Sequence, residues 1–395
     1  MFNYLALLNP KTSLKVIKIG TSIFMLLGIF MAFKVWTLNH LFPVLKVFEK
    51  LPAISNNITV AALLILILLL VVSLFWQHSS IYWGILALTM LLLSQDYMRW
   101  QPWIYMYGLM FVSFLFDKKS SADKTLFLLR IILSATYFWA GFHKLNPYFI
   151  NTAPLDLSND LIRFFQIEHP WLLYKLRYFG YLIPLIEIGI ALGLWTVNYR
   201  KLAVFAALIT HLIILIFQAQ GGVHYFGVVY PWNLFMMFLV WILFYQPSKM
   251  PTIQKIKKSK LTLLIILLVW VLPILNGFGL WHNYASFKLY TGNDIYLFAI
   301  VNEGDLNRYF PHLKKQTFEP APELVNAFQI QPNEHVVSFY HWTIDELSLP
   351  LNLNKASLAQ LQNYIHTFDS KFSEPIRFLI YKNGRYQTLS KKQSY

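Results

Sequence analysis

The chain has 395 residues, 57% of them apolar and 13% charged, with a mean hydropathy of +0.48. A soluble domain carries about 25% charged residues, so the composition excludes an ordinary water-soluble protein. An aromatic content of 17% excludes a disordered chain, and the absence of cysteine excludes disulfides, thiolate metal sites and CxxC redox chemistry. The 33 Lys and Arg against 18 Asp and Glu leave a net +15. In a polytopic membrane protein that excess belongs on cytoplasmic loops facing anionic headgroups, and it needs no nucleic-acid partner.

A helix crossing the hydrocarbon core needs about 17–25 mostly apolar residues. Windows of that length predict nine spans, near 19–36, 58–76, 81–96, 101–116, 125–146, 179–197, 202–218, 229–245 and 261–280. The third and fourth are short and separated only by Asp96 to Trp100. The first follows Lys11, Lys15 and Lys18; with Lys34 inside it and no small-residue cleavage site, it reads as an uncleaved anchor. A cytoplasmic N-terminus places thirteen basic residues on inner loops, among them Lys118, Lys119, Lys124, Arg200 and Lys201. It leaves six outside: Lys46, Lys50, Arg99, Arg163, Lys175 and Arg177. The expected address is therefore the plasma (inner) membrane, multi-pass, N-terminus in and C-terminal tail out.

The tail, residues 281–395, changes composition and is nearly neutral, with eleven basic and ten acidic residues. It reads as a small α+β extracytoplasmic domain with room for a protein partner. Ile295 to Val301 and Val336 to Thr343 are β-rich runs. Ser357 to Gln360 has the form of a capping box, and Leu358, Leu361, Ile365 and Phe368 follow at helical spacing. Arg377 to Tyr381 and Arg385 to Leu389 flank Asn383-Gly384, a hairpin signal because that pair tolerates positive φ. The tail has no catalytic motif, and the chain has no internal repeat. The expected fold class is thus an all-α transmembrane bundle with a small α+β tail, divided as 1–124, 125–280 and 281–395.

Ionisable side chains in hydrocarbon cost about 2.5–3.5 kcal/mol on insertion scales, so each needs a reason. Lys34 and Arg130 lie near span ends and are expected to snorkel. Lys144 closes the fifth span, within Tyr137-Phe138-Trp139-Ala140-Gly141-Phe142-His143-Lys144-Leu145-Asn146. Tyr137, Gly141 and Lys144 share one helix face, and Gly141 lets a neighbouring helix or a flat ligand approach beside the amine. Glu187 is expected about 12 Å deep in the sixth span. Lys144 is its obvious partner, although an apparent offset of two turns leaves a histidine or water open. His211 shares a face with Leu215 and Gln218. His143, His211 and His224 lack metal-ligand spacing, so no metal site is expected. The glycine-rich segment Gln220 to Gly227 reads as an outer loop or a re-entrant lid.

The segment 137–146 resembles the Y-F-x-A-G-x-x-K-L stretch of vitamin K-dependent γ-glutamyl carboxylases and their bacterial relatives, which share the HTTM (horizontally transferred transmembrane) domain. Glu187, Arg200, Thr210-His211-Leu212 and Tyr230-Pro231-Trp232 extend the likeness over about 125–245, with a weaker echo at Leu272 to Asn293. DoxX-like membrane proteins have a similar A-G-x-x-K-L segment. The carboxylase resemblance implies an HTTM-like core and a quinol-type cofactor such as vitamin K hydroquinone. In that reading Lys144 is the base that activates the cofactor, at the outer leaflet. Lys144, His143, Glu187 and His211 would be catalytic, and Tyr137, Gly141 and His224 would hold the cofactor. The alternative is a non-catalytic accessory or binding subunit whose buried polar residues fix helix packing. A quinone-sized cavity at the amine favours the enzyme; a tight ion pair there favours the accessory protein.

Overall fold

A computed structural model describes residues 9–48, 50–115, 122–151, 166, 170–219, 227–245, 260–292, 294–374, 376–382 and 385–389. Among the described residues the longer helices ahead of the tail are α1 (Pro10–Met31), α2 (Asn56–Phe75), α3 (Ser79–Gln95), α4 (Pro102–Leu115), α5 (Ala122–Lys144), α6 (Pro170–Gly193), α7 (Arg200–Ala219), α8 (Val229–Val240) and α9 (Lys260–Ile266), with a short helix at Phe33–Thr37 after α1. The α8 helix runs on through a wider turn, Trp241–Tyr245, and α9 through Leu267–Val271 and Leu272–Phe278. Among the described residues, five helical stretches are long and apolar enough to cross a membrane: Pro10–Met31, Asn56–Phe75, Ala122–Lys144, Arg200–Gln218 and Lys260–Phe278. Four shorter apolar stretches accompany them: Ser79–Gln95, Pro102–Leu115, Gly180–Gly193 and Val229–Tyr245. The protein is a helical membrane protein carrying a small antiparallel sheet.

The α5 helix is the bundle's centre, buried along nearly its whole apolar length. Its neighbours accommodate it through specific polar contacts. Pro273 has no N–H to offer the carbonyl of Val269, four residues earlier; Trp139 Nε1 of α5 takes that oxygen at 2.9 Å. The adjacent Leu268 carbonyl accepts from Tyr105 Oη at 3.2 Å.

Several charged residues sit deeper than the sequence suggests. The α1 helix starts at Pro10, capped by Asn9, so Lys11, Lys15 and Lys18 are helical. Lys18, expected in a loop, is buried with its ammonium 5.9 Å from the ring centres of both Tyr82 and Phe114. Arg99, expected in an outer loop, is fully buried and donates to the carbonyls of Val35 (3.1 Å), Leu92 (2.8 Å) and Trp36 (3.3 Å). Arg130 does not snorkel; it is buried and donates from Nε to the Leu243 carbonyl at 2.7 Å. A guanidinium carries five donors in a planar fork, so backbone carbonyls at irregular helix turns can hold it inside the bundle. Lys34 is exposed, as snorkelling requires.

The tail forms a five-stranded antiparallel sheet of order β2-β3-β1-β4-β5. Its elements are β1 (Tyr296–Asn302), α10 (Glu303–Tyr309), β2 (Thr317–Phe318), α11 (Pro322–Phe328), β3 (Glu334–Ser338), α12 (Phe339–Leu347), α13 (Lys355–His366), β4 (Arg377–Lys382) and β5 (Arg385–Leu389). The run 336–343 is strand only as far as Ser338. There the Ser338 hydroxyl accepts from His341 N and starts a helix in place of the expected longer strand. The capping box lies one turn before the predicted one: Asn354 and Ser357 exchange side-chain and backbone bonds. Leu358, Leu361 and Ile365 are buried as their spacing predicts. The hairpin pairs Lys382 with Arg385; its turn, Asn383-Gly384, lies outside the described residues.

The tail is seated on the helix ends. Glu346 of α12 accepts from the backbone N–H groups of Leu41 and Phe42 and from Trp342 Nε1, and Trp342 packs edge-on against Phe42 at 5.0 Å. Gln360 of α13 pairs reciprocally with the Lys46 backbone, at 2.7 and 2.9 Å. One apolar core runs continuously from the bundle into the sheet.

Candidate functional site

Lys144 ends α5 and Glu187 sits in α6. The lysine amine contacts both carboxylate oxygens, at 2.6 and 2.7 Å, and both residues are buried, 7% and 9% exposed. The expected two-turn offset is not found: the two side chains lie level and in contact. Gly141 sets the register. A Cβ on that residue would lie 2.6 Å from the Pro184 carbonyl oxygen and 2.9 Å from Glu187 Cβ, so only glycine lets the two helices touch here. The lysine three residues further along the same face then lies beside the carboxylate. The open question of what Gly141 admits is thereby answered: it admits a helix.

A second polar chain runs about two turns earlier along α5. Tyr137 Oη meets His211 Nε2 at 2.6 Å, and His211 Nδ1 meets Asn233 Oδ1 at 2.7 Å. Asn233 donates its own Nδ2 to the Val229 carbonyl at 2.8 Å, which turns Oδ1 toward the ring. The hydrogen-bond pattern therefore assigns the imidazole proton to Nδ1 and lets Nε2 accept from the tyrosine. Tyr137, His211 and Asn233 are all buried and join α5, α7 and α8.

Of the predicted site residues, Lys144, Glu187, Tyr137, Gly141 and His211 converge. His143 faces elsewhere. Its ring lies tilted against Trp139 at 5.4 Å, meets the Ser286 backbone, and leaves Nε2 buried with no hydrogen-bond partner among the described residues. His224 and most of the glycine-rich segment lie outside the described residues. Asn233 was missed; its signal was a lone amide in an apolar run just after Tyr230-Pro231-Trp232. The next residue after the motif's leucine, Asn146, also has a role. It accepts from Tyr148 N and Phe149 N at 3.0 Å and donates to the Thr291 carbonyl at 3.1 Å, tying the end of α5 to the start of the tail.

A cavity of about 280 Å³ lies at that junction, between α4, the segment after α5 and the tail. Tyr284, Tyr290, Tyr296, Tyr340, Lys288 and Asp294 line it with Gln101, Phe149 and Asn352. Lys288 Nζ is 3.3 Å from Asp294 Oδ1. Burial, with neighbouring phenols and the Asp294 carboxylate, pushes the Tyr284 and Tyr340 hydroxyls up, so both rings stay neutral. The cavity reaches Phe149, whose ring centre is 5.8 Å from the Lys144 amine, but not the amine itself. The amine is occupied by both Glu187 oxygens, and the face beside it is filled by α6. Among the described residues no group of three His, Asp or Glu is arranged to hold a metal.

Compared with protein-family models, curated proteins and solved structures, the chain matches none.

Proposed function

We propose that this is a multi-pass protein of the plasma membrane that acts as a non-catalytic accessory or binding subunit, with an HTTM-like or DoxX-like core at 125–280. In this reading the five long helical stretches and the four shorter ones each cross once. The N-terminus is cytoplasmic, the basic inner loops meet anionic headgroups, and the tail is extracytoplasmic. The basic-residue bias supports that orientation. The functional reading rests on one observation: the amine of Lys144 is matched by both oxygens of a buried carboxylate. A carboxylate held against the amine by both oxygens stands where a cofactor oxygen would have to approach it.

The carboxylase-like alternative needs a free amine against a quinol, and one experiment separates the two. Lys144→Met, Glu187→Leu and the double variant are compared for thermal unfolding in detergent and, in membranes, for oxidation of vitamin K hydroquinone to its epoxide. The accessory reading expects both single variants to be destabilised, the double to recover most of the loss, and no epoxidation above vector membranes. Epoxidation by the wild type that disappears in a well-folded double variant overturns it.

A further inference from the structure

The junction cavity is built from parts that the Lys144 cluster does not use. Its loop, residues 287–292, bends through the left-handed region at Phe287 (φ 53°), Tyr290 (φ 50°) and Gly292 (φ 71°). Two of these three are not glycine, and such conformations concentrate at ligand clamps. The bends set Tyr290 and Lys288 on the cavity wall facing Tyr296 of β1 and Tyr340 of α12. The Tyr296 and Tyr340 rings meet edge-to-face at 5.2 Å, forming one corner. Asp294 contributes a carboxylate to the same wall, and Lys288 a cation.

The two charges are loosely coupled. Their separation of 3.3 Å exceeds the 2.6 Å at Lys144–Glu187, and both side chains keep some exposure, 11% and 21%. A ligand carrying both signs can replace that one contact with two. Its ammonium would face Asp294 and the phenol rings, whose negative faces attract cations. Its anionic group would take the Lys288 ammonium. A lone anion or a lone cation would leave one of the two partners stranded. At about 280 Å³ the space is at the lower limit for small-molecule sites, which suits a headgroup or a small metabolite. Pro102, which opens α4, and Phe149, just past the end of α5, both line it, so the cavity lies level with the helix ends.

We propose that the junction cavity binds a zwitterion, with its ammonium caged by Tyr284, Tyr296, Tyr340 and Asp294 and its anionic group on Lys288. The ligand is a phosphoethanolamine-type group, supplied by a lipid headgroup or by a soluble ester. The site is independent of any role for Lys144.

The test uses the full chain purified in detergent and titrated calorimetrically with glycerophosphoethanolamine, ethanolamine and glycerol 3-phosphate. The zwitterion binds, and each half alone binds at least about tenfold more weakly. Asp294→Asn, which preserves shape, weakens zwitterion binding by a similar factor. Tyr340→Phe retains binding because the ring face remains, whereas Tyr340→Leu loses it. Each variant is read only after its thermal unfolding matches the wild type; Lys288→Met supplies a second charge variant. Native mass spectrometry from nanodiscs separates the sources. Retained phosphatidylethanolamine, lost in Asp294→Asn, assigns the lipid; soluble binding without retention assigns the ester. No binding of either form, equal binding of the lone ions, or an unchanged Asp294→Asn affinity overturns the proposal.

Discussion

Lys144 and Arg130 lie on the same helix, about 21 Å apart along its axis, and both are buried in an apolar bundle. The bundle treats them differently. Arg130 donates to a backbone carbonyl at the wider turn of α8, whereas Lys144 has a dedicated carboxylate. A delocalised guanidinium spreads its charge over several donors and is weakly hydrated, so carbonyl dipoles compensate it. A compact ammonium is strongly hydrated, and at the end of α5 it is matched by a full counter-charge. On this helix, then, one cation is packed by the backbone and the other is bound to a partner helix.

That contrast is sharpest in substitution. Glu187→Leu strands the Lys144 ammonium and is expected to cost about 3–5 kcal/mol, the range for breaking a buried pair from one side. Arg130→Met removes the charge and leaves the Leu243 carbonyl short of a partner, at a cost of about 1–3 kcal/mol. Thermal unfolding of the two variants in one detergent checks the order. Equal losses would mean that the two cations are held by the same kind of interaction.

A smaller effect tests how the helices reach that pairing. Gly141→Val places atoms against the Pro184 carbonyl and Glu187 Cβ. Forcing α5 and α6 apart is expected to cost about 1–3 kcal/mol, as overpacking does. Gly108, in α4, has open space around its Cα, so Gly108→Ala is expected to gain about 0.5–1 kcal/mol from helix propensity alone. A Gly141→Val variant as stable as the wild type would show that α6 does not need glycine to dock.

Hydropathy windows located the apolar helices, because a run of Leu, Ile and Phe declares itself without neighbours. The i, i+4, i+7 spacing of Tyr137, Gly141 and Lys144 likewise put the right residues on one face. Partners were harder. Arg99 and Lys18 looked like loop charges because sequence carries no record of which carbonyls or rings wait nearby in space. The offset expected between Glu187 and Lys144 was wrong because sequence does not say how two helices slide against each other. The junction cavity was invisible: Tyr284, Tyr290 and Tyr296 are close in sequence, but only the tertiary fold brings Tyr340, Gln101 and Phe149 to them. In the tail, β-rich composition found β1 and the Asn383-Gly384 hairpin signal found β4 and β5, yet the strand–helix switch at Ser338 depended on a single hydroxyl cap inside a β-rich run.

The remaining test concerns the same junction, read through pH. His282 lies beyond the last apolar stretch, its ring 5.2 Å from Tyr97 and 5.8 Å from Trp100. Its Nδ1 accepts from Tyr284 N at 3.1 Å, a contact available only to the neutral tautomer protonated at Nε2. Burial pushes its pKa from 6.5 down to about 4. A histidine with a depressed folded pKa contributes stability that is fully present above its unfolded value and is lost as pH falls through the folded one. The junction should therefore weaken between about pH 6.5 and pH 4. His282→Asn places an amide oxygen where Nδ1 accepts and cannot take up the proton. Thermal unfolding of the wild type should fall more steeply over that window than that of the variant, with the two curves parallel above it. Curves that stay parallel throughout would mean that His282 takes up its proton as readily in the folded protein as in the unfolded chain.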